Sequence, residues 1–140
     1  MIEAKTINEL REKLKTSGDR VVKSQDNEFS RKILEQKLCN ILVIYPTSRH
    51  TIKHIDSGLN SVLAKLAAKN NIQIGLDIKH LKKLAKKDKA NYLSSLVQNI
   101  KLCRKSRTQL VTNSKKEAFH LLLSLGASTQ QTKEAQSKSF

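Results

Sequence analysis

Ile72-Gln-Ile-Gly-Leu-Asp-Ile78, followed at once by Lys79-His-Leu-Lys-Lys-Leu-Ala-Lys-Lys-Asp-Lys89, decides how this chain reads. The first part alternates apolar with small or polar side chains, as a short strand does. The second sets six lysines against one acid, Asp88, and reads as a lysine-rich loop. Upstream, His54 to Lys69 carries Leu59, Val62, Leu63, Leu66 and Ala67 at helical spacing. Asn70-Asn71 breaks that helix. Downstream, Leu93, Leu96, Val97, Ile100 and Cys103 mark one face of a second helix that runs toward Arg107. The densest charge therefore sits on a βα connection, where α/β folds hold their ligands.

The same alternation extends in both directions. Met1–Lys5 reads as a short strand, and Thr6 with Glu9 as a capping box. The helix they open has Ile7, Leu10 and Leu14 on its apolar edge and ends at Gly18. Arg20–Lys23 is another strand. Ser24 or Asp26 opens a helix carrying Phe29, Ile33 and Leu34. Cys39-Asn-Ile-Leu-Val-Ile-Tyr45 is the most apolar run and, bounded by Pro46, reads as a buried parallel strand. Thr108–Thr112 is a further strand. Ser114 and Glu117 form a second capping box, Gly126 a C-terminal cap, and Ser128 with Gln131 opens a last helix ending near Ser137. The tail from Thr132 is polar and expected to fray.

Strands alternating with helices predict parallel strands with right-handed crossovers. The spacing gives about five βα units in a single domain, 1–140. A closed eight-stranded barrel takes ~250 residues. The expected fold is therefore α/β, with parallel βα units forming an incomplete TIM-barrel-like sheet whose exposed edges need cover.

Charge narrows the partners. The chain has 27 Lys and Arg against 12 Asp and Glu, a net charge of +15 and a pI near 10.0. Such a balance favours a polyanion, nucleic acid before an acidic membrane surface. No run of eighteen apolar residues could span a bilayer, and Met1–Thr6 is too polar for a secretion signal. Cys39 and Cys103 lie in apolar elements without metal-ligand spacing, and a disulfide is not expected. A cytoplasmic setting follows. There is no Trp, and Phe29, Tyr92 and Phe119 fall on apolar helix faces. Any RNA would then be held through phosphates and shape, not base stacking.

Catalytic sets are not evident. His50 and His54 share i, i+4 spacing, but Thr51-Ile-Lys53 between them supplies no acid and Lys53 repels a cation. His120 reads as a packed histidine and Asp56 as a helix cap. Asp77 at a strand end is a single carboxylate. No phosphate-loop, dinucleotide or zinc-protease motif occurs. No catalytic residue, metal site or bound cofactor is expected. The candidate RNA-binding residues are Lys79, His80, Lys82, Lys83, Lys86, Lys87 and Lys89, joined by Arg49, Lys115 and Lys116 at other strand ends. In a parallel sheet those ends share one rim, so the charges would converge. The bland alternative is a solvated face.

The order of pieces resembles a known family. Ile55-Asp-Ser-Gly-Leu-Asn-Ser-Val-Leu-Ala-Lys65, Ile74-Gly-Leu-Asp-Ile78, Lys89-Ala-Asn-Tyr-Leu93, Cys103-Arg-Lys105, Val111-Thr-Asn-Ser114 and Leu125-Gly-Ala127 follow one another as in protein component 3 of archaeal and eukaryotic ribonuclease P. The resemblance implies a barrel-like α/β fold and a ribonucleoprotein that removes 5′ leaders from precursor tRNA. In that family the RNA carries the catalysis and a magnesium-dependent core, and the component 2 protein is the usual direct partner. The chain is expected to lack N-terminal βα material. Ser114-Lys-Lys-Glu117 stands in place of an Arg-Pro-Arg-Asp-like segment, and Lys89 stands where Arg is frequent.

The resemblance thus implies a noncatalytic RNA-binding subunit of ribonuclease P. Its expected partners are ribonuclease P RNA, component 2 and precursor tRNA. Mg²⁺ would be held by the RNA, with self-association or a hetero-oligomer and no membrane. The alternative is a free-standing basic protein that binds nucleic acid nonspecifically.

Overall fold

Helix caps fix where each element begins. The computed structural model describes residues 1–46, 56–137 and 140. Thr6 accepts a hydrogen bond from the Glu9 N–H at 3.2 Å and caps α1 (Ile7–Thr16). Glu9 reaches back to the Lys5 N–H at 2.9 Å, one residue earlier than a capping box takes it. Ser17 closes the helix, so Gly18 lies beyond it. After β1 (Val21–Lys23), Asp26 and not Ser24 caps α2 (Asn27–Glu35), through the Phe29 N–H at 2.7 Å. The apolar run yields β2 (Ile41–Val43). Arg49, His50 and His54 lie outside the described residues.

α3 (Ser61–Lys69) starts later than the spacing predicts. Asn60 is its cap, accepting from Leu63 N–H at 2.9 Å. Asp56 is not a helix cap; it accepts from the Gly58 N–H at 3.1 Å in a local turn. Val62, which the spacing puts on the apolar stripe, is 62% exposed, while Leu63, Ala64 and Ala67 form the buried face. β3 (Gln73–Leu76) follows.

The lysine segment is not a loop. It forms α4 (Ile78–Lys83), and its last residues open the long α5 (Lys86–Ser106). Lys, Leu and Ala are strong helix formers, and Asp77 caps α4 through the His80 N–H at 2.9 Å. The buried stripe of α5 is Tyr92, Ser95, Leu96, Asn99, Ile100 and Cys103, with Leu93 and Val97 at its half-buried margins. β4 (Leu110–Thr112), α6 (Lys115–Ser124) and α7 (Thr129–Ser137) complete the chain. Ser128 and Gln131 do form a reciprocal capping box, at 3.0 and 3.1 Å. As far as Ser137 the tail is helical and does not fray as expected. Thr132 and Ala135 are fully buried as α7 packs on α6 and β4.

Among the described residues the sheet has four strands, all parallel, in the order β1-β2-β3-β4. This monotonic order with a helix at each crossover is that of an incomplete barrel. The spacing predicts about five units, but Met1–Lys5 contributes only a parallel bridge between Ile2 and Val22. That bridge covers the outer edge of β1, with Ile2 N–H on Val21 O at 2.7 Å and Lys23 N–H on Ile2 O at 2.9 Å. At the other edge the Phe140 N–H reaches Thr112 O at 3.4 Å. The edges are thus partly covered by the chain itself, contrary to expectation.

Alternation gives the sheet two faces. Val22, Leu42, Ile74 and Leu110 are register partners across all four strands, and each is 0% exposed. They pack against the helices and stabilise the fold by about 1.5–3 kcal/mol each. The opposite row is Lys23, Val43, Gly75 and Val111. A Cβ on Gly75 would lie 3.0 Å from the Phe140 ring and 3.0 Å from Val43. Glycine lets the ring lie on this face.

The turns entering β2, β3 and β4 are alike. Lys37, Asn71 and Arg107 adopt φ of 52°, 56° and 56°. In each turn the following N–H returns to the helix: Leu38 to Ile33 O at 3.1 Å, Ile72 to Ala67 O at 2.9 Å, and Thr108 to Cys103 O at 2.9 Å. This is the Schellman pattern, which usually places glycine at the left-handed residue. Gly126 does so between α6 and α7, with φ 96° and Ala127 N–H on Leu122 O at 2.9 Å.

Candidate nucleic-acid interface

The C-terminal ends of three neighbouring strands supply Tyr45, Asp77 and Asn113. Asp77 is the centre. Its Oδ1 accepts from the His80 N–H at 2.9 Å and from Asn113 Nδ2, and its Oδ2 accepts from the Tyr45 hydroxyl. Asn113 Oδ1 takes the next two amides, Ile78 N–H at 2.9 Å and Lys79 N–H at 3.2 Å. The first N–H groups of α4 are therefore all satisfied by side chains. Tyr92 ties α5 to the same point, donating its hydroxyl to Asp77 O at 2.9 Å.

Electrostatics follow from these bonds. Burial raises the Asp77 pKa, but hydrogen bonds from Tyr45, His80 N–H and Asn113 outweigh it and hold the carboxyl below its ordinary value. Burial, then the Asp77 charge, pushes the Tyr45 and Tyr92 phenols up. Both stay protonated donors. The Cys39 and Cys103 thiols rise to about 12 through burial and are inert at neutral pH. Among the described residues, no three His, Cys, Asp or Glu side chains come together as a metal site would require.

The network anchors the helices that carry the lysines. Lys79, Lys82 and Lys83 on α4, and Lys86 and Lys87 on the first turn of α5, are exposed; Lys89 is half-buried. His80 is half-buried too, its ring edge-on between Tyr45 at 5.5 Å and Tyr92 at 5.3 Å. Lys115 and Lys116 begin α6 directly after Asn113 and Ser114, so the backbone carries them to the same rim. Their side chains, like Arg49, lie outside the described residues. The sequence singles out the lysines but not the Tyr45–Asp77–Asn113–Tyr92 network. One sequence signal points to it: Asp77 and Asn113 both stand just past a strand and just before a helix.

Charge is unevenly divided along the chain. Residues 1–35 hold 8 Lys and Arg against 7 Asp and Glu, whereas residues 36–140 hold 19 against 5. Glu9–Lys13, Glu12–Lys15, Glu28–Lys32 and Arg31–Glu35 pair the charges of α1 and α2. α4 and the start of α5 offer only Asp88 against six lysines. Among the described residues, no helix is long and apolar enough to cross a membrane.

Fold and rim define a class: an incomplete parallel α/β barrel with a cationic helix pinned at the C-terminal ends of its strands. No family model matches the chain. Ribonuclease P protein component 3 of Methanococcus maripaludis is 29% identical over 117 residues, 81% of this chain and 48% of that protein. The Methanococcus vannielii protein of the same name is 30% identical over 93 residues, 66% of this chain and 38% of its own length. A chain from a cryo-EM structure of archaeal ribonuclease P with mature tRNA shares the fold. Its TM-score is 0.76 at 22% identity, over 97% of this chain and 62% of that one. Across the segment they share, the chain is similar to ribonuclease P protein component 3 in sequence and to a ribonuclease P chain in fold. It spans about half the length of the curated relatives it matches.

Proposed function

We propose that the chain is a noncatalytic RNA-binding subunit of ribonuclease P that supports the catalytic RNA in removing 5′ leaders from precursor tRNA. One observation carries this reading: six lysines lie on a helix and the opening of the next, held to a strand-end rim by Asp77, Asn113 and Tyr92. Such an array suits a phosphate backbone. Similarity to ribonuclease P protein component 3 makes ribonuclease P RNA the natural owner of that backbone. Lys79, His80, Lys82, Lys83, Lys86, Lys87 and Lys89 form the proposed contact set, with Arg49, Lys115 and Lys116 at its border. The proposed partners are ribonuclease P RNA, component 2 and precursor tRNA, and Mg²⁺ is held by the RNA. The protein works in the cytoplasm.

Purification of the native protein with identification of its bound RNA tests the reading. Ribonuclease P RNA is the expected result. A random RNA mixture would instead support the free-standing nonspecific binder, a reading favoured by the net charge of +15. The RNA-free protein should not cleave precursor tRNA. Added with its partner proteins to the RNA subunit, it should lower the magnesium needed for cleavage, because lysines replace counterions.

A further inference from the structure

We propose that the opposite, N-terminal rim of the sheet is a second RNA-phosphate surface, presented by Lys37 and Arg107. This inference rests on the RNA-binding reading above. Its starting point is backbone strain. Lys37 and Arg107 occupy left-handed φ of 52° and 56°, a conformation that long L side chains adopt at a cost. Glycine would fill both positions without strain, and the chain uses it at Gly126, in the like turn that does not enter the sheet. At two of the three turns that face the strand N-termini, the chain keeps basic side chains instead. Both are exposed, and among the described residues neither side chain makes a hydrogen bond or ion pair.

The surroundings of Arg107 fit a sugar–phosphate chain. Arg107 stands between two open hollows of about 480 and 720 Å³. The smaller is lined by Asn40, Asn71, Gln73 and Gln109, whose amides both donate and accept, as ribose hydroxyls require. Arg104 adds a cation to the larger, while Glu134 borders both and accepts from Gln130 at 3.2 Å. Asn71 and Asp77 are six residues apart along β3, so the two rims are separated by roughly 20 Å. A protein basic at both ends of its strands would brace two separate RNA segments, which a single lysine helix could not do.

The strain supplies an unusual test. The double variant Lys37→Gly/Arg107→Gly removes both cations and relieves both turns. Its melting temperature should rise by roughly 2–6 °C. Its affinity for a ribonuclease P RNA transcript should fall about ten-fold or more. Over about 50 to 500 mM salt, its slope should flatten by ~1.4–1.8, as the removal of two phosphate-binding cations requires. Stability and binding would thus move in opposite directions. Should the glycine variant fail to fold, Lys37→Asn/Arg107→Asn carries the same test, because asparagine tolerates the left-handed region. Wild-type affinity and slope in either variant would overturn the inference while leaving the RNA-binding reading intact. A wild-type protein with no salt-dependent RNA binding would overturn both.

Discussion

The two rims of the sheet are built by different means. At the C-terminal rim, side chains do the holding: Asp77 and Asn113 satisfy the opening amides of α4, and Tyr45 and Tyr92 bond to Asp77. At the N-terminal rim, the backbone does it. The turns at Lys37, Asn71 and Arg107 close through main-chain bonds and leave those side chains outside. A rim locked by side chains holds its cations in fixed positions but is sensitive to single substitutions. A rim closed by backbone tolerates them. Mutational sensitivity should therefore concentrate at the C-terminal ends of the strands.

The largest expected effect is at Gly58, which lies against the end of β2. Its φ is 81°, and an added Cβ would lie 2.2 Å from Tyr45 O. Gly58→Ala should cost roughly 2–4 kcal/mol in denaturant unfolding. An unchanged midpoint would show that this rim yields more readily than its geometry implies.

Asp77→Ala should cost about 1–3 kcal/mol, because Tyr45, Asn113 and the His80 N–H are each left without an acceptor. The RNA readout separates positioning from simple charge. Removing an acid makes the rim more positive, so electrostatics alone predict tighter RNA binding. Release of α4 from its anchor predicts weaker binding, and weaker binding is the expected outcome.

Acid should reach the same anchor. The folded pKa of Asp77 lies below its ordinary value, so its contribution is present above about pH 4 and disappears as pH falls through the depressed folded value. Asp77→Asn should show a shallower decline of stability than the wild type over that range. Parallel pH profiles would remove Asp77 from the account. The smallest effect belongs to the other rim: Asn71→Gly should change stability by less than about 0.5 kcal/mol in thermal melting, since asparagine tolerates the left-handed region and glycine loosens the unfolded chain.

The parallel alternation, the Thr6 and Ser128 caps and the lysine concentration are readable in the sequence, because each rests on local chemistry. Other features depend on tertiary contacts. Val62 fits a helical stripe by spacing, yet the helix begins only at Ser61 and turns it to solvent. The lysine segment resembles a loop by charge, although its residues are helix formers and Asp77 stands in place to cap them. Asp77 meets Tyr45 and Asn113 from 32 and 36 residues away, a meeting that no single-sequence periodicity encodes. The polar tail looks free in sequence because the burial of Thr132 and Ala135 depends on β4 and α6.

RNA affinity across a salt series, for the wild type and for the Lys82→Ala/Lys83→Ala/Lys86→Ala/Lys87→Ala variant, tests the central claim most directly. Circular dichroism confirms that both are folded, since exposed charge contributes little to stability. If these lysines hold phosphates, affinity drops and the slope flattens by ~0.7–0.9 for each phosphate no longer neutralised. Coincident salt lines for the two folded proteins would mean that α4 is only a solvated surface, and would contradict the account.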